Sequence, residues 1–164
     1  MKKLLTFILA GCLLLSFSGC AEGGETSTGS PDSTPPIEEF SEGLSYTKKA
    51  DGNYCVTGVG TCQDAEIIIP STYQNQPVVE IGENAFALTD TITRVEIPES
   101  VTAISPNAFY MCVSLESVVF KNTQGWIVKE LDTVVTGTSV LLDDAGQAAT
   151  YLKDTYRTYY WRKA

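Results

Sequence analysis

Three short stretches of this 164-residue sequence have residue types and spacings that bear on chemistry. Ser45-Tyr46-Thr47-Lys48 spells S-x-x-K, a spacing that on a helix sets a lysine beside a serine nucleophile for acyl transfer. Such a nucleophile needs S-D-N and K-T-G partners, and neither occurs. The stretch also reads as a strand and runs straight into Lys49, so its role is structural. Asp143-Asp144 offers two adjacent carboxylates, half of an acid/base pair or of a calcium set; capping a helix N-terminus is the plainer role. "TGVGTC" (Thr57–Cys62) is glycine-rich but lacks the lysine and following helix of a phosphate cradle. The chain has no histidine and no G-x-S-x-G, so the usual general base and the nucleophile elbow are both missing. Trp126 and Trp161 are conceivable ligand platforms, against which stands simple core packing. No catalytic residue, cofactor or metal site is expected.

The cysteines point elsewhere. "MKKLLTFILAGCLLLSFSGC" opens with Lys2 and Lys3, then an apolar run from Leu4 to Leu15, then small residues ending at Cys20. The run is too short for the ~20 residues that span a bilayer core and reads as an export signal, residues 1–19. "FSGC" resembles the lipobox of bacterial lipoproteins. That resemblance implies a lipid on Cys20, cleavage before it and anchoring to a membrane; the competing reading is ordinary secretory cleavage with Cys20 incidental. Of the later cysteines, Cys55 and Cys62 can bridge if they face one another across a turn, and Cys112 is expected as a small buried apolar residue. An odd set cannot all pair. Their spacings match no zinc pattern.

Residues 20–43 are small, polar, proline-bearing and acidic, with six acids and no base. Only Ile37 and Phe40 could enter a core, so the stretch is expected as a disordered linker with a reach of roughly 25 Å. Residues 44–164 hold 14 acids against 9 bases. Nothing forms a basic stripe, which argues against polybasic membrane docking and against nucleic acid, and no nucleic-acid partner is expected.

What must position any functional residue is a repeat. "VVEIGENAFALTDTITRVEIPES" (Val78–Ser100) is followed at once by "VTAISPNAFYMCVSLESVVFKNT" (Val101–Thr123). Identical pairs are Val78/Val101, Ile81/Ile104, Asn84/Asn107, Ala85/Ala108, Phe86/Phe109 and Val95/Val118. "ITRVEI" and "LESVVF" end in apolar residues two apart, the period of a strand with one face buried. Upstream, Gly82 and Ser105-Pro106 break the chain before Asn-Ala-Phe, and a short helical piece is expected through Phe86–Leu88 and Phe109–Met111. A unit of 23 residues cannot bury its own apolar side and closes a core only by stacking on its neighbour. "EIIIP" (Glu66–Pro70) repeats "VEIP" (Val95–Pro98) at a spacing of 28, because "STYQNQP" inserts a polar loop.

The pattern I-x-x-x-A-F-x-x-C-x-x-L-x-x-V-x-[IF]-P resembles the BspA-type leucine-rich repeat of bacterial surface proteins. The second copy supplies Ile104, Ala108, Phe109, Cys112, Leu115, Val118 and Phe120; the first departs at Thr89, where the family has cysteine. The resemblance covers residues 67–123 and extends to the flanks. It implies an α+β, mostly β fold: a short solenoid of parallel strands with Phe86 and Phe109 stacked as a spine.

The ends need covering. Leu44–Gly60 is expected as an N-terminal β-hairpin cap around Asp51-Gly52, with repeats over about 61–123 and C-terminal strands and a helix cap over 124–164. "GWIV" is a candidate strand, with Ile127 falling 23 residues after Ile104, and "DTVVTGTSVLL" is β-rich. The tail from Asp143 reads as a helix with Ala148, Leu152, Tyr156, Tyr159 and Tyr160 on one stripe.

If Val95 and Ile97 point inward, Arg94 and Glu96 face outward, with Ser117, Val119 and the adjacent Glu116 in the second copy. These five residues are the candidate ligand face, and plain solvated surface is the competing reading for each. The expected function is a lipid-anchored, cell-surface protein-binding or adhesion module without catalysis, meeting a protein or cell-surface ligand. The alternative is a structural or assembly subunit of the envelope.

Overall fold

The computed structural model describes residues 39–164. The expected export signal, Cys20 and the linker up to residue 38 lie outside the described residues. The fold is mostly β with one short helix: β1 (Ser45–Lys48), β2 (Tyr54–Gly58), β3 (Glu66–Ile68), β4 (Thr72–Tyr73), β5 (Gln76–Ile81), β6 (Arg94–Ile97), β7 (Ala103–Ile104), β8 (Ser117–Phe120), β9 (Trp126–Lys129), β10 (Thr138–Ser139), α1 (Ala145–Thr150) and β11 (Tyr160–Lys163).

The repeat writes two sheets. β3, β6 and β8 form one, wholly parallel. Glu66 lies beside Arg94, 28 positions on, and Arg94 beside Ser117, 23 on, so the register reproduces both sequence spacings. Inward-facing Ile67, Val95 and Val118 are fully buried, as is Ile97 two residues further along, with Phe120 beside it nearly so. The second sheet runs β1-β2-β5-β7-β11-β9-β10, with β4 paired to β5. Only β2-β5-β7 is parallel there; the remaining pairings are antiparallel. The sheet is therefore mixed, and the expectation of parallel strands throughout holds for only part of the fold.

Between β5 and β6, and again between β7 and β8, the chain turns through the Asn-Ala-Phe segments. No helix forms at Phe86–Leu88 or Phe109–Met111. Asn84 and Asn107 sit at φ +56° and +58° near the start of each turn, and Leu88 and Met111 at +62° and +60° at its end, a left-handed backbone that a right-handed helix does not contain. In the first copy alternate N–H groups bond across to the second, Phe86 N–H donating to Ala108 C=O and Leu88 N–H to Tyr110 C=O, both at 2.8 Å. Ala85 and Ala87 close local turns on Gly82 and Asn84, as Tyr110 and Cys112 do on Asn107 and Phe109. The Phe86 and Phe109 rings stack at 5.2 Å, 11° from parallel, each fully buried. Cys112, buried as expected, donates its thiol to Phe86 C=O at 3.0 Å.

The ends depart further from expectation. β1 and β2 do form the N-terminal hairpin. The "STYQNQP" insertion, expected as a loop, is a second hairpin, β4–β5, turning through Gln74 and Asn75 at positive φ. It lays Tyr73 on Tyr46 at 4.0 Å, with Tyr54 edge-on to both. Ser41, inside the stretch assigned to the linker, is buried against β3: its main-chain N–H donates to Ile68 C=O at 2.9 Å and its Oγ accepts from Ile68 N–H at 3.1 Å.

At the other end the tail is not one helix. Asp144 caps α1, its Oδ1 accepting from Gln147 N–H at 2.7 Å, and the coil widens to a π-type segment over Tyr151–Thr155. The chain then reverses, and β11 enters the sheet between β7 and β9. Tyr160 is thus a strand residue, and Trp161 lies between Ile104 and Val128. Val128, not Ile127, takes the inward place across from Ile104, because β11 occupies the neighbouring position. Of "DTVVTGTSVLL" only β10 is a strand, with Val140 and Leu142 buried while Val135, Leu141 and the preceding Leu131 are exposed.

Candidate functional site

Alternation along β6 and β8 puts Val95, Ile97, Val118 and Phe120 inside, so the residues between them form the outer face. Arg94 stands beside Ser117 and Glu96 beside Val119, all half-buried. β3 adds Glu66 beside Arg94 and Ile68 beside Glu96. Four of the five expected face residues therefore lie together. Glu116 stands exposed just ahead of β8, its main-chain N–H donating to Thr93 C=O at 2.9 Å, and its carboxylate makes no hydrogen bond or ion pair among the described residues.

Charge organises this face around Glu96. Arg94 Nη2 donates to Glu96 Oε2 at 3.1 Å, Lys121 Nζ lies 2.7 Å from Glu96 Oε1, and Arg94 Nη1 is 3.7 Å from Glu66. Partial burial acts to raise the Glu96 pKa, but the hydrogen bonds from Lys121 and Arg94 outweigh it and hold the carboxyl below the ordinary glutamate range. Lys121 and Glu66 escaped the sequence reading although a signal for each was there. Lys121 continues the outward alternation of Ser117 and Val119, and Glu66 is the counterpart of Arg94 once "EIIIP" is aligned with "VEIP".

Beyond the end of β6 the face runs into a groove of about 670 Å³. Phe40, Pro70 and Pro98 supply apolar walls, and Glu39, Glu99 and the Glu96–Lys121 pair supply charge. Phe40 stands there, 51% exposed, because the neighbouring Ser41 is pinned to β3.

The other chemistry-bearing residues are accounted for structurally. Ser45 and Lys48 lie at opposite ends of the edge strand β1, not on a helix. Trp126 and Trp161 are buried, their indole N–H groups donating to Asn122 and Tyr156 carbonyls. Glu80 is satisfied by Lys49 and by Ser105 Oγ at 2.9 Å. Cys55 and Cys62 are separate thiols. Burial pushes the Cys55 and Cys112 thiols up to about 11, which keeps them protonated and poorly nucleophilic.

Residues 60–131 match the family described as "BspA type Leucine rich repeat region (6 copies)". Among solved structures the chain is similar to a leucine-rich repeat protein from Bacteroides capillosus ATCC 29799, at 33% identity over 48% of this chain and 61% of that one, TM-score 0.44. It is similar to a leucine rich cell surface protein from Faecalibacterium prausnitzii A2-165, at 30% identity over 55% of this chain and 25% of that one, TM-score 0.45. It is also similar to the leucine-rich repeat protein of T. pallidum, at 26% identity over 47% of this chain and 36% of that one, TM-score 0.43. The chain spans 61% or less of the length of each of these proteins. No curated protein matches it significantly.

Proposed function

We propose that the chain, whose residues 60–131 match the BspA-type leucine-rich repeat family, is an exported, cell-surface protein-binding module, tethered by a lipid on Cys20 and devoid of catalysis. The coils are read as a short solenoid whose outer face meets a protein ligand. The observation that carries this reading is the parallel register of β3, β6 and β8. It aligns Glu66, Arg94 and Ser117 in one row and Ile68, Glu96 and Val119 in the next, so residues distant in sequence form one continuous surface. The size of that surface sets its strength. Three strands about 4.8 Å apart and four residues at about 3.3 Å rise give roughly 200 Å², against about 800 Å² per partner in a standard interface. A single contact is therefore weak, and display of many copies on a membrane supplies avidity.

The test is capture of purified matrix proteins and envelope extracts by the immobilised chain, compared with the double variant Ser117→Arg/Val119→Arg. Capture is expected to fall while the melting temperature holds, since both side chains face outward. Unchanged capture by the variant removes the face from the reading, and no capture by either chain removes the binding module itself. Envelope assembly is the second reading, favoured by exposed Leu131, Val135 and Leu141 around the two-residue edge strand β10. Sedimentation separates the two: concentration-dependent oligomers favour assembly, a strict monomer favours ligand capture.

A further inference from the structure

We propose that the groove next to the β3–β6–β8 face takes a cationic, apolar stretch of a partner polypeptide; this rests on the protein-binding reading and says where and with what chemistry the contact is made. Shape comes first. The cavity of about 670 Å³ is in the range of ligand-sized clefts, and Phe40, Pro70 and Pro98 give it rigid apolar walls. Prolines have no main-chain N–H to satisfy and little freedom to lose, so an apolar side chain docks on them at small entropic cost.

Charge then selects the partner. The one base of the groove, Lys121, is already held by Glu96 at 2.7 Å. Glu39 and Glu99 have no ion-pair partner among the described residues. The groove thus presents two uncompensated carboxylates above an apolar floor, and the half-exposed ring of Phe40 adds a π face for a lysine or arginine head group. The same charges argue against other occupants. The part of the linker ahead of Glu39 carries four acids and no base, and the whole chain has a net charge of −9, so that segment and a second copy are both repelled. Anionic glycans and lipid head groups are repelled likewise.

The experiment uses the full chain and a fluorescent hexapeptide of alternating lysine and leucine, with its glutamate–leucine counterpart as control, read by anisotropy. The lysine peptide is expected to bind, the glutamate peptide not, and added salt to weaken the complex. Glu39→Gln/Glu99→Gln is expected to weaken binding about three- to tenfold and to flatten its salt dependence, as loss of two exposed charges facing a cation does. Phe40→Ser is expected to weaken it at high salt as well, where the charge contribution is screened. These side chains are exposed, and unchanged thermal melts certify the fold of each variant. Equal binding of the two peptides, no binding of the lysine peptide, or affinity indifferent to all three substitutions overturns the proposal. Capture lost in Ser117→Arg/Val119→Arg with no groove dependence for the peptide leaves the binding module standing on its strand face and removes only the groove.

Discussion

Glu96 shows how one half-buried carboxylate can hold a surface together. Its two oxygens are divided between Arg94 and Lys121, one from its own strand and one from just past the next, so the ion pairs tie β6 to β8. Because its folded pKa lies below the ordinary glutamate value of 4.5, its contribution to stability is fully present above that value and disappears as pH falls through the depressed one. Glu96→Gln is therefore expected to lower stability at neutral pH, and the gap from the parent chain to close in urea melts as the pH is taken down through the depressed Glu96 pKa. Phe109 is a case where burial decides. Its ring is fully buried and stacked on Phe86, and Phe109→Ala is expected to cost about 3–5 kcal/mol in the same melts; a loss under about 1 kcal/mol contradicts the spine. Leu88 and Met111 are harder to explain. Both are exposed and both take a left-handed backbone that glycine or asparagine accepts more readily, and nothing in their contacts says why they are apolar.

At the scale of elements, the repeat was legible because its period is physical: apolar residues two apart must face one interior, and a spacing of 23 brings them into register. The outer face followed from the same alternation, and so did the hairpin signalled by Asp51-Gly52. What escaped reading was set by tertiary pairing. "TYYWRK" serves equally as the stripe of a helix or as a strand, and an open sheet edge beside β7 settles it in favour of β11, as strand propensity depends on what the strand packs against. In the first copy the left-handed turns let alternate main-chain N–H groups bond to the adjacent copy, which no single copy reveals. The groove was illegible because Phe40, which completes it beside the equivalent repeat residues Pro70 and Pro98, lies outside the repeat and belongs to no period. Trp161→Ala tests the role given to β11. Its loss is expected to raise hydrogen exchange at Trp126–Lys129 as well as at Tyr160–Lys163, because β9 reaches β7 only through that strand.

For the whole molecule, the proposed anchor makes the boldest prediction. Cys20→Ala is expected to move the protein from the membrane fraction to the soluble exported fraction; unchanged fractionation removes the lipid. If the anchor holds, the pinning of Ser41 beside the groove matters for orientation, since the chain leaves the folded part next to its candidate contact surface. The insertion of β11 has a different consequence, for the order of assembly. The strand lies between β7 and β9 in space but is made after both. A growing or translocating chain can zip up β2, β5 and β7 as they emerge, whereas β9 and β10 pair with each other but have no link to β7 until Trp161 arrives. Closure of that sheet is thus a late, long-range event, and the interval before it is when the nascent protein is most open to proteases.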